Sequence, residues 1–563
     1  MGAGSSLVSR REILPAPEVV TKKGTVQGRR IHYKNGPVAD IYLGIPYAKP
    51  PVGPLRFKRP VAPDGWHNTL SCRSYRRRAI QVIPAWEPLV SRLPATSEDC
   101  LYLNVFTPKF EAGKKYPVFF YIHGGALLMD SPARIPPEGI CRQFVAQGVI
   151  VVTVCYRLGF LGFFSTGDEA CPGNMGHLDQ AEALKWTSEN INLFGGDPSE
   201  ITVGGQSAGA VSTDLLSISP LTRHLFNKKI VMGGSSFVFW ATSRVKETVD
   251  FCKEKAMELG WQPKGNYASP VEEHQAMMEF LRSLPAKKFG CTFLHYKPLL
   301  KKLKMPQVAV LDGYFLPKPV ERLRLEAPDM ATICGVAEYE GLLFVAIKTL
   351  GLSKKSFQLL MSNLVHDQDE VQMKQTLDLL IETYKKDGIP EKLNLLYPPR
   401  RRYGIIGVRF PFHGATHASE LPYLLRQQAF YSNTAFSKKE KILAALTSDY
   451  FSSFVKFGDP NRHGNAFHPQ WPAISPTSRQ MMCMRPNPAT KPAEQFFGKR
   501  FTVAKEYGYI MKMWNDDAVE EAVEKVVEAV VEAAAEQPEA HAKHQPAPKQ
   551  LAPLKSSRLP DVN

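Results

Sequence analysis

A serine lies between small residues in the stretch ITVGGQSAGAVSTDLL. Ser207 is the central residue of Gly205-Gln206-Ser207-Ala208-Gly209, which fits the pattern G-x-S-x-G. Small residues on both sides allow a sharp turn from a strand into a helix, and such a turn exposes the serine hydroxyl. The positive end of the following helix favours an oxygen on which negative charge develops. The pattern predicts a nucleophile for acyl transfer at Ser207, with an ordinary glycine turn as the alternative.

A second stretch, YIHGGALLMD, could stabilise that charge. Acyl transfer passes through a tetrahedral intermediate, and its oxygen needs N–H donors that are already in position. A His-Gly-Gly loop after a strand offers backbone N–H groups that no large side chain obstructs. We therefore predict an oxyanion hole formed by the backbone N–H groups of Gly125, Ala126 and Ala208. A plain turn at the end of a strand is the alternative.

The elements that must hold these residues alternate along the chain. YPVFFYIHGG and VIVVTVCYRLG are apolar runs of strand length that end in glycine or polar residues, as buried parallel strands do. A helical stretch, DQAEALKWTSENINLFGG, follows, and then a short strand from Ile201 to Gly204. This alternation predicts an α/β fold with a mostly parallel sheet that helices cover on both faces. Reactive groups are expected at the carboxyl ends of its strands.

A catalytic serine also needs a base, but fourteen histidines leave that choice open. Several longer motifs narrow it: YLGIPYAKPPVGPLRFKRP, SEDCLYLNVFTP, GNMGHLDQAEALKW, FGGDPSEITVGGQSAG and FVKFGDPN. With these motifs in this order, the sequence resembles the type-B carboxylesterase and cholinesterase family of α/β hydrolases from about Val19 to Trp514. The resemblance implies one α/β-hydrolase domain over residues 18–514.

The resemblance also assigns the remaining catalytic residues. In ICGVAEYEGLLF the acid is Glu340, and in GATHASELPYLL the histidine is His417, with Glu420 in the family's following position. His417 would take the proton from Ser207 and return it to the leaving alcohol, while Glu340 orients the imidazole. The implied reaction is hydrolysis of a small-molecule ester through an acyl-serine, without a metal or an organic cofactor. The 77 residues from Glu340 to His417 (417 − 340) are fewer than the family has.

Three departures from the family concern the substrate. Gln206 precedes the nucleophile, where the family usually has glutamate, and Leu343 replaces an aromatic residue of cholinesterases. Trp86 is several residues out of step with their choline-binding tryptophan. Anionic and cation–π attraction for a quaternary ammonium are therefore both weakened. We expect neutral, lipophilic esters as substrates rather than acetylcholine.

Other functions remain open for this fold. An acyltransferase would pass the acyl group to an alcohol or amine, and an adhesion or scaffold protein would have no catalysis. The presence of Ser207, Glu340, His417 and the His-Gly-Gly loop argues against a non-catalytic role. The formal net charge is +16, but the basic clusters are short and lack interleaved aromatic residues, so no nucleic-acid partner is expected.

Cysteine use and sequons indicate the compartment. The chain has nine cysteines, an odd number, and no Asn-x-Ser/Thr sequon. Cys100 occupies a family disulfide position, but the expected partner position is Ala79, with Cys72 displaced, and Cys252 is followed by LGW where the family has LGC. These features favour a reducing, cytoplasmic location and disfavour secretion.

The amino-terminal tail, residues 1–17, begins MGAGSSLVSRRE and lacks the apolar stretch of a secretory signal. Gly2 and Ser6 fit M-G-x-x-x-[ST], so Gly2 is predicted to be myristoylated. A single acyl chain binds membranes weakly, and basic residues such as Arg10 and Arg11 would supply the second signal. The prediction implies peripheral contact with the cytosolic face of a membrane.

The carboxyl-terminal segment differs in character from the rest of the chain. In residues 515–537, valines fall on one helical face and glutamates on the opposite one, which predicts an acidic amphipathic helix. Such a helix could bind a partner or a second copy of the chain, and a solvated helix is the alternative. Residues 538–563 are rich in Pro, Lys and Ala and are predicted to be disordered.

Overall fold

The computed structural model describes most of the chain before the carboxyl-terminal tail. The described residues are 12–33, 36–83, 93–238, 240–291, 305, 307–337, 340, 417–427, 436–464, 468–473, 481–484 and 491–493. The predictions for Gly2, Trp86, Leu343, 515–537 and 538–563 lie outside these residues and stay predictions.

A ten-stranded sheet forms the centre of the described part, beside a separate two-stranded sheet. The ten strands are β1 (Glu12–Thr21), β2 (Gly24–His32), β3 (Val38–Pro46), β4 (Leu70–Ser71), β5 (Tyr102–Pro108), β6 (Tyr116–Ile122), β7 (Ile150–Val154), β8 (Gly196–Gln206), β9 (Lys228–Met232) and β10 (Ala331–Gly335). The small sheet pairs β11 (Met481–Cys483) with β12 (Lys491–Ala493).

The large sheet has an antiparallel half and a parallel half. Its order is β1-β2-β3-β5-β7-β6-β8-β9-β10, and the short β4 pairs with β2. Neighbours from β1 to β7 along this order are antiparallel, and those from β7 to β10 are parallel. All five residues of β7, Ile-Val-Val-Thr-Val, are buried, as expected for a strand covered on both faces. The predicted parallel sheet is thus the half that carries Ser207.

Helices connect and cover the strands. The described α-helices are α1 (Pro137–Gln143), α2 (Gly159–Phe163), α3 (Met175–Asn190), α4 (Ala208–Ile218), α5 (Val245–Glu258), α6 (Pro270–Ser283), α7 (Val320–Glu326), α8 (Leu421–Leu425) and α9 (Lys438–Phe457). Short 3-10 turns occur at Gly53–Leu55, Pro132–Arg134, Val145–Gln147, Ile191–Phe194 and Ala286–Phe289. The longest of these helices, α9, begins with a complete capping box, in which Ser437 and Glu440 satisfy each other's backbone N–H groups.

Strand β6 divides the core into two clusters. Val118, Phe120 and Ile122 pack in one cluster, whereas Phe119 and Tyr121 pack in the other. Because successive side chains of a strand point to opposite faces, the sheet is buried on both sides. The predicted α/β fold class is confirmed.

Two further properties concern the described residues only. No disulfide joins the eight cysteines whose state is described. None of the described helices is both long enough and apolar enough to cross a membrane.

Candidate active site

Ser207 lies on a sharp turn between β8 and α4, in the segment 204–209, which we call the nucleophile turn. Its backbone has φ 58° and ψ −125°, outside the helix and strand regions, and its side chain is 7% exposed. The Ser207 N–H donates to the carbonyl oxygen of Met232 at 2.8 Å, which ties the turn to β9. β8 begins at Gly196 rather than at the predicted Ile201, because Gly196 pairs with Tyr116 of β6 before a register shift leads to the pair of Ile201 with Val118.

The glycines of the nucleophile turn are required by close backbone contacts. A Cβ atom added to Gly205 would lie 2.3 Å from the carbonyl oxygen of Gly209, and one added to Gly209 would lie 2.2 Å from that of Ile122. Both distances are far below van der Waals contact, and carbonyl oxygens of the backbone cannot swing away. The two glycines of the G-x-S-x-G pattern are therefore required because backbone segments of the chain lie in direct contact at these positions.

The structure brings the three predicted catalytic side chains together. His417 Nε2 lies 2.7 Å from Ser207 Oγ, and His417 Nδ1 lies 2.5 Å from Glu340 Oε2. The other oxygen of Glu340 accepts a hydrogen bond from the Ala337 N–H at 2.7 Å, which orients the carboxylate. With Nδ1–H donating to Glu340, Nε2 can accept the serine proton. The short sequence separation between Glu340 and His417 therefore leaves these groups in contact.

The predicted oxyanion residues lie in the segment 123–131, the oxyanion loop, which follows β6. Gly125 and Ala126 have φ values of 94° and 55°. The N–H groups of Gly125, Ala126 and Ala208 donate to no acceptor among the residues that the structure describes. The loop contacts the nucleophile turn, since a Cβ added to Gly124 would lie 3.1 Å from the Cβ of Ser207. Three N–H groups beside the nucleophile are thus available to a substrate oxygen.

Gln206 and Glu420 form a polar contact beside the histidine. Gln206 Nε2 lies 3.4 Å from His417 Nε2, and the Gln206 amide also interacts with the Glu420 carboxyl. Burial, and then the negative charge of Glu340, raise the pKa of Glu420 to about 7, while the bond from Gln206 opposes the shift. The raised pKa favours the neutral form of this carboxyl.

A buried ion cluster on α4 was not expected from the sequence. Asp214 accepts from Lys229 Nζ at 2.8 Å and from Arg324 Nη2 at 2.5 Å, and Ser236 donates to it through its N–H at 2.8 Å. Burial acts to raise the pKa of Asp214, but the two positive charges outweigh burial and hold this pKa below its usual value. The carboxylate ties α4 to the segment after β9.

Sequence reasoning also missed the residues that fix the oxyanion loop. Gln81, Asp130 and Gln427 are joined by side-chain hydrogen bonds although they are far apart in the sequence. In the sequence, Asp130 stands out as an acidic residue directly after the apolar Leu-Leu-Met of this loop. Nothing in the sequence indicates that Gln81 and Gln427 are its partners. Among the described residues, no group of three or more His, Cys, Asp or Glu side chains is placed to hold a metal ion.

The fold and the position of Ser207 define a class of protein. A serine on a sharp turn between a parallel strand and a helix, next to a loop with available N–H groups, is typical of α/β hydrolases. A model of the carboxylesterase family matches residues 15–402 and 383–498. The chain therefore belongs to the carboxylesterase family and is a carboxylic ester hydrolase. The predicted resemblance and enzyme class are confirmed.

Curated relatives agree with this family. The chain is 33% identical over 487 residues to "Esterase cest-33" of Caenorhabditis elegans, covering 78% of this chain and 85% of that protein. It is 35% identical over 404 residues to "Gut esterase 1" of Caenorhabditis briggsae, covering 68% of each chain. It is 30% identical over 506 residues to "Acylcarnitine hydrolase" of Mus musculus, covering 81% of this chain and 85% of that protein.

Proposed function

We propose that this carboxylesterase hydrolyses neutral, lipophilic small-molecule esters through an acyl-serine intermediate. The observation that carries the proposal is the 2.7 Å distance between His417 Nε2 and Ser207 Oγ. His417 takes the hydroxyl proton as Ser207 attacks the ester carbonyl, and then gives it to the departing alcohol. Glu340 fixes the tautomer of the imidazole and stabilises its cation. Water, activated by His417, then releases the acid.

The N–H groups of Gly125, Ala126 and Ala208 stabilise the negative oxygen in this scheme. They need no rearrangement before the reaction, because they make no competing hydrogen bonds among the described residues. Ala208 is also the first residue of α4, an 11-residue helix whose amino-terminal end carries a partial positive charge. Removal of one such donor typically lowers kcat by about 10²–10³-fold in related chemistry.

The lipophilic substrate is inferred from the residues around the reacting groups. Leu127 and Leu128 are buried in the same hydrophobic cluster as Ala126 and Ala208, so the oxyanion donors border apolar surroundings. Gln206 places a neutral amide where a carboxylate would attract a cationic alcohol, and the name of the Mus musculus relative adds acylcarnitines to the esters to be tested. The apolar surroundings favour an acyl chain, and the neutral amide of Gln206 favours an uncharged alcohol.

Replacement of Ser207 by alanine tests the mechanism. The Ser207→Ala variant should lose ester hydrolysis by on the order of 10⁴ to 10⁶-fold, because the acyl-enzyme route is closed. A fluorophosphonate probe, which reacts with activated serines, should label the wild type and leave the variant unlabelled. Retained hydrolysis together with retained labelling in the variant would contradict the proposal. Product analysis with an added lipophilic alcohol separates hydrolysis from acyl transfer.

A matched pair of esters tests the substrate class. Butyrylcholine and 3,3-dimethylbutyl butyrate have similar shapes, but only the first carries a positive charge. We expect kcat/KM to favour the neutral ester by at least about 10-fold, equivalent to roughly 1.4 kcal/mol. Equal values for the two esters would show that the site does not discriminate by charge, and butyrylcarnitine provides a second charged alcohol for the comparison.

A further inference from the structure

Asp130, at the end of the oxyanion loop, has a backbone conformation that needs external support. Its φ is 87°, and Ala126 and Leu127 in the same loop have φ values of 55° and 61°. Left-handed conformations are unfavourable for residues other than glycine, and they persist only where the surroundings enforce them. Three such residues in one short loop therefore indicate that neighbouring groups hold it.

Gln81 holds the backbone of Asp130 from a distant segment. Gln81 Oε1 accepts from the Asp130 N–H at 3.0 Å, and Gln81 Nε2 donates to the Asp130 carbonyl oxygen at 3.0 Å. One amide side chain thus satisfies both backbone polar groups, in the way that a neighbouring strand would. Gln81 is 6% exposed, so water does not readily replace these bonds.

The carboxylate of Asp130 makes three further contacts. Oδ1 accepts from the Ser131 N–H at 2.8 Å and lies 3.1 Å from Arg134 Nε. Oδ2 accepts from Gln427 Nε2 at 3.1 Å. Gln427 is 3% exposed and belongs to the described segment 417–427, which begins with His417. Asp130 therefore connects the loop that carries the N–H donors to the segment that carries the catalytic histidine.

The intervening loop transmits this constraint to the donors. The N–H groups of Leu128 and Met129 both donate to the carbonyl oxygen of Gly125, at 3.0 and 3.1 Å. These hydrogen bonds link Gly125 directly to Met129, the residue before Asp130. A displacement of Asp130 changes the direction of the peptide groups on either side of Gly125.

We infer that Asp130 is a positioning residue for ester hydrolysis, which holds the N–H groups of Gly125 and Ala126 in place for the oxygen of the tetrahedral intermediate. The inference rests on the proposed acyl-serine mechanism and its oxyanion hole. Donors act in the transition state only if they are already aligned, and a misplacement of about 1 Å can lower the rate by about 10²-fold. Asp130 acts through the loop and does not itself contact the reacting atoms.

The Asp130→Gly variant separates positioning from simple support of the fold. Glycine adopts a φ of 87° without strain and keeps both backbone bonds to Gln81, but it loses every carboxylate contact. We expect kcat to fall by about 10-fold or more, with KM within about twofold, because the lost interaction acts in the transition state. Affinity for an alkyl trifluoromethyl ketone, which forms a tetrahedral adduct with the serine, should fall in parallel with kcat/KM. The urea midpoint should change little, because relief of the strained φ of Asp130 offsets the stability lost with the carboxylate contacts.

Two more variants complete the experiment. Gln427→Met removes only the link to the histidine segment and should lower kcat by about threefold or more, again with KM unchanged. Asp197→Gly is the control, because Asp197 also accepts from a nearby N–H, that of Ser199, but lies at the start of β8, far from Ser207. It should keep the wild-type kcat.

The outcomes distinguish this inference from the mechanism on which it rests. If Ser207→Ala is inactive and unlabelled by the fluorophosphonate, but Asp130→Gly and Gln427→Met retain the wild-type kcat, Asp130 has no positioning role. A lower urea midpoint with unchanged kcat would likewise assign Asp130 to structure alone and overturn the inference. If Ser207→Ala remains active, the acyl-serine mechanism itself fails.

Discussion

The nucleophile turn and the oxyanion loop both contain residues with unusual backbone conformations, but different forces hold them. In the nucleophile turn, Ser207 is fixed by backbone packing, since added Cβ atoms at Gly205 and Gly209 would collide with carbonyl oxygens. In the oxyanion loop, Asp130 is fixed by side chains that come from other segments, above all Gln81. The conformation of one segment is enforced by close backbone contacts, and that of the other by hydrogen bonds from distant side chains.

The nucleophile turn and the oxyanion loop should respond differently to amino-acid substitution. Steric enforcement is abrupt, because a single methyl group at a backbone contact leaves no conformation that fits. Enforcement by hydrogen bonds is graded, because each bond contributes about 0.5–1.5 kcal/mol and several act together. The nucleophile turn should therefore be intolerant of small substitutions, whereas the oxyanion loop should lose alignment stepwise.

Gly209→Ala should give the largest effect. The added methyl group would lie 2.2 Å from the carbonyl oxygen of Ile122, so α4 or β6 must shift. We expect a loss of roughly 3 kcal/mol in the free energy of unfolding and a fall in kcat of about 10²-fold or more. Urea denaturation and steady-state kinetics measure the two effects.

Gly335→Ala is the matched control, because an added Cβ at this position in β10 meets no atom of the described residues within 4 Å. Its stability should stay within about 0.5 kcal/mol of the wild type. If Gly209→Ala proved as mild as Gly335→Ala, steric enforcement of the nucleophile turn would be the wrong explanation.

Glu420→Gln tests whether the Glu420 carboxyl, which lies beside Gln206 of the nucleophile turn, makes the stability of the protein depend on pH. Burial, followed by the charge of Glu340, raises the pKa of Glu420 from 4.5 to about 7. Between these two values the unfolded chain has released the proton and the folded chain has kept it. The contribution of Glu420 to the free energy of unfolding is therefore fully present below about pH 4.5, falls as the pH rises, and levels off above about pH 7.

The expected size of this fall is at most roughly 3.5 kcal/mol, from about 1.4 kcal/mol for each pKa unit. Glutamine cannot ionise, so the variant should lack this part of the pH dependence and gain relative to the wild type above pH 7. Denaturation of both proteins in urea at a series of pH values measures the difference. Parallel stability curves for the two proteins would contradict the raised pKa.

The same contrast explains how far the sequence could predict the site. Ser207 was predictable because the two glycines that its turn requires, Gly205 and Gly209, lie within two positions of it and form a recognisable pattern. His417 and Glu340 required the family resemblance, since fourteen histidines leave the pattern ambiguous. The bonds from Gln81 to Asp130 join residues 49 positions apart, and only the fold brings them together.

Some strands of the fold were predictable from the sequence, and the start of one strand was not. Buried strands such as β7 are evident from apolar runs, because both faces of the strand are covered. The early part of β8, with the sequence Gly-Asp-Pro-Ser-Glu, has the composition of a turn, yet the strand begins there because Gly196 pairs with Tyr116 of β6. Tertiary pairing overrides local preference there, and a single sequence does not report it.

Ala126→Gly should give the smallest effect and sharpens the account of the oxyanion loop. Ala126 has a φ of 55°, so glycine removes a strain of about 1 kcal/mol or somewhat more. Glycine also increases the entropy of the unfolded chain, which lowers stability by about 0.5–1 kcal/mol. The two terms nearly cancel, and the net change in the free energy of unfolding should stay within about 1 kcal/mol. If the loop is held by Gln81 and Asp130, as proposed, this change leaves its alignment intact and the affinity for the trifluoromethyl ketone should change by less than about threefold. A larger loss of affinity in Ala126→Gly than in Asp130→Gly would mean that the local backbone at Ala126, and not the distant side chains, holds the loop.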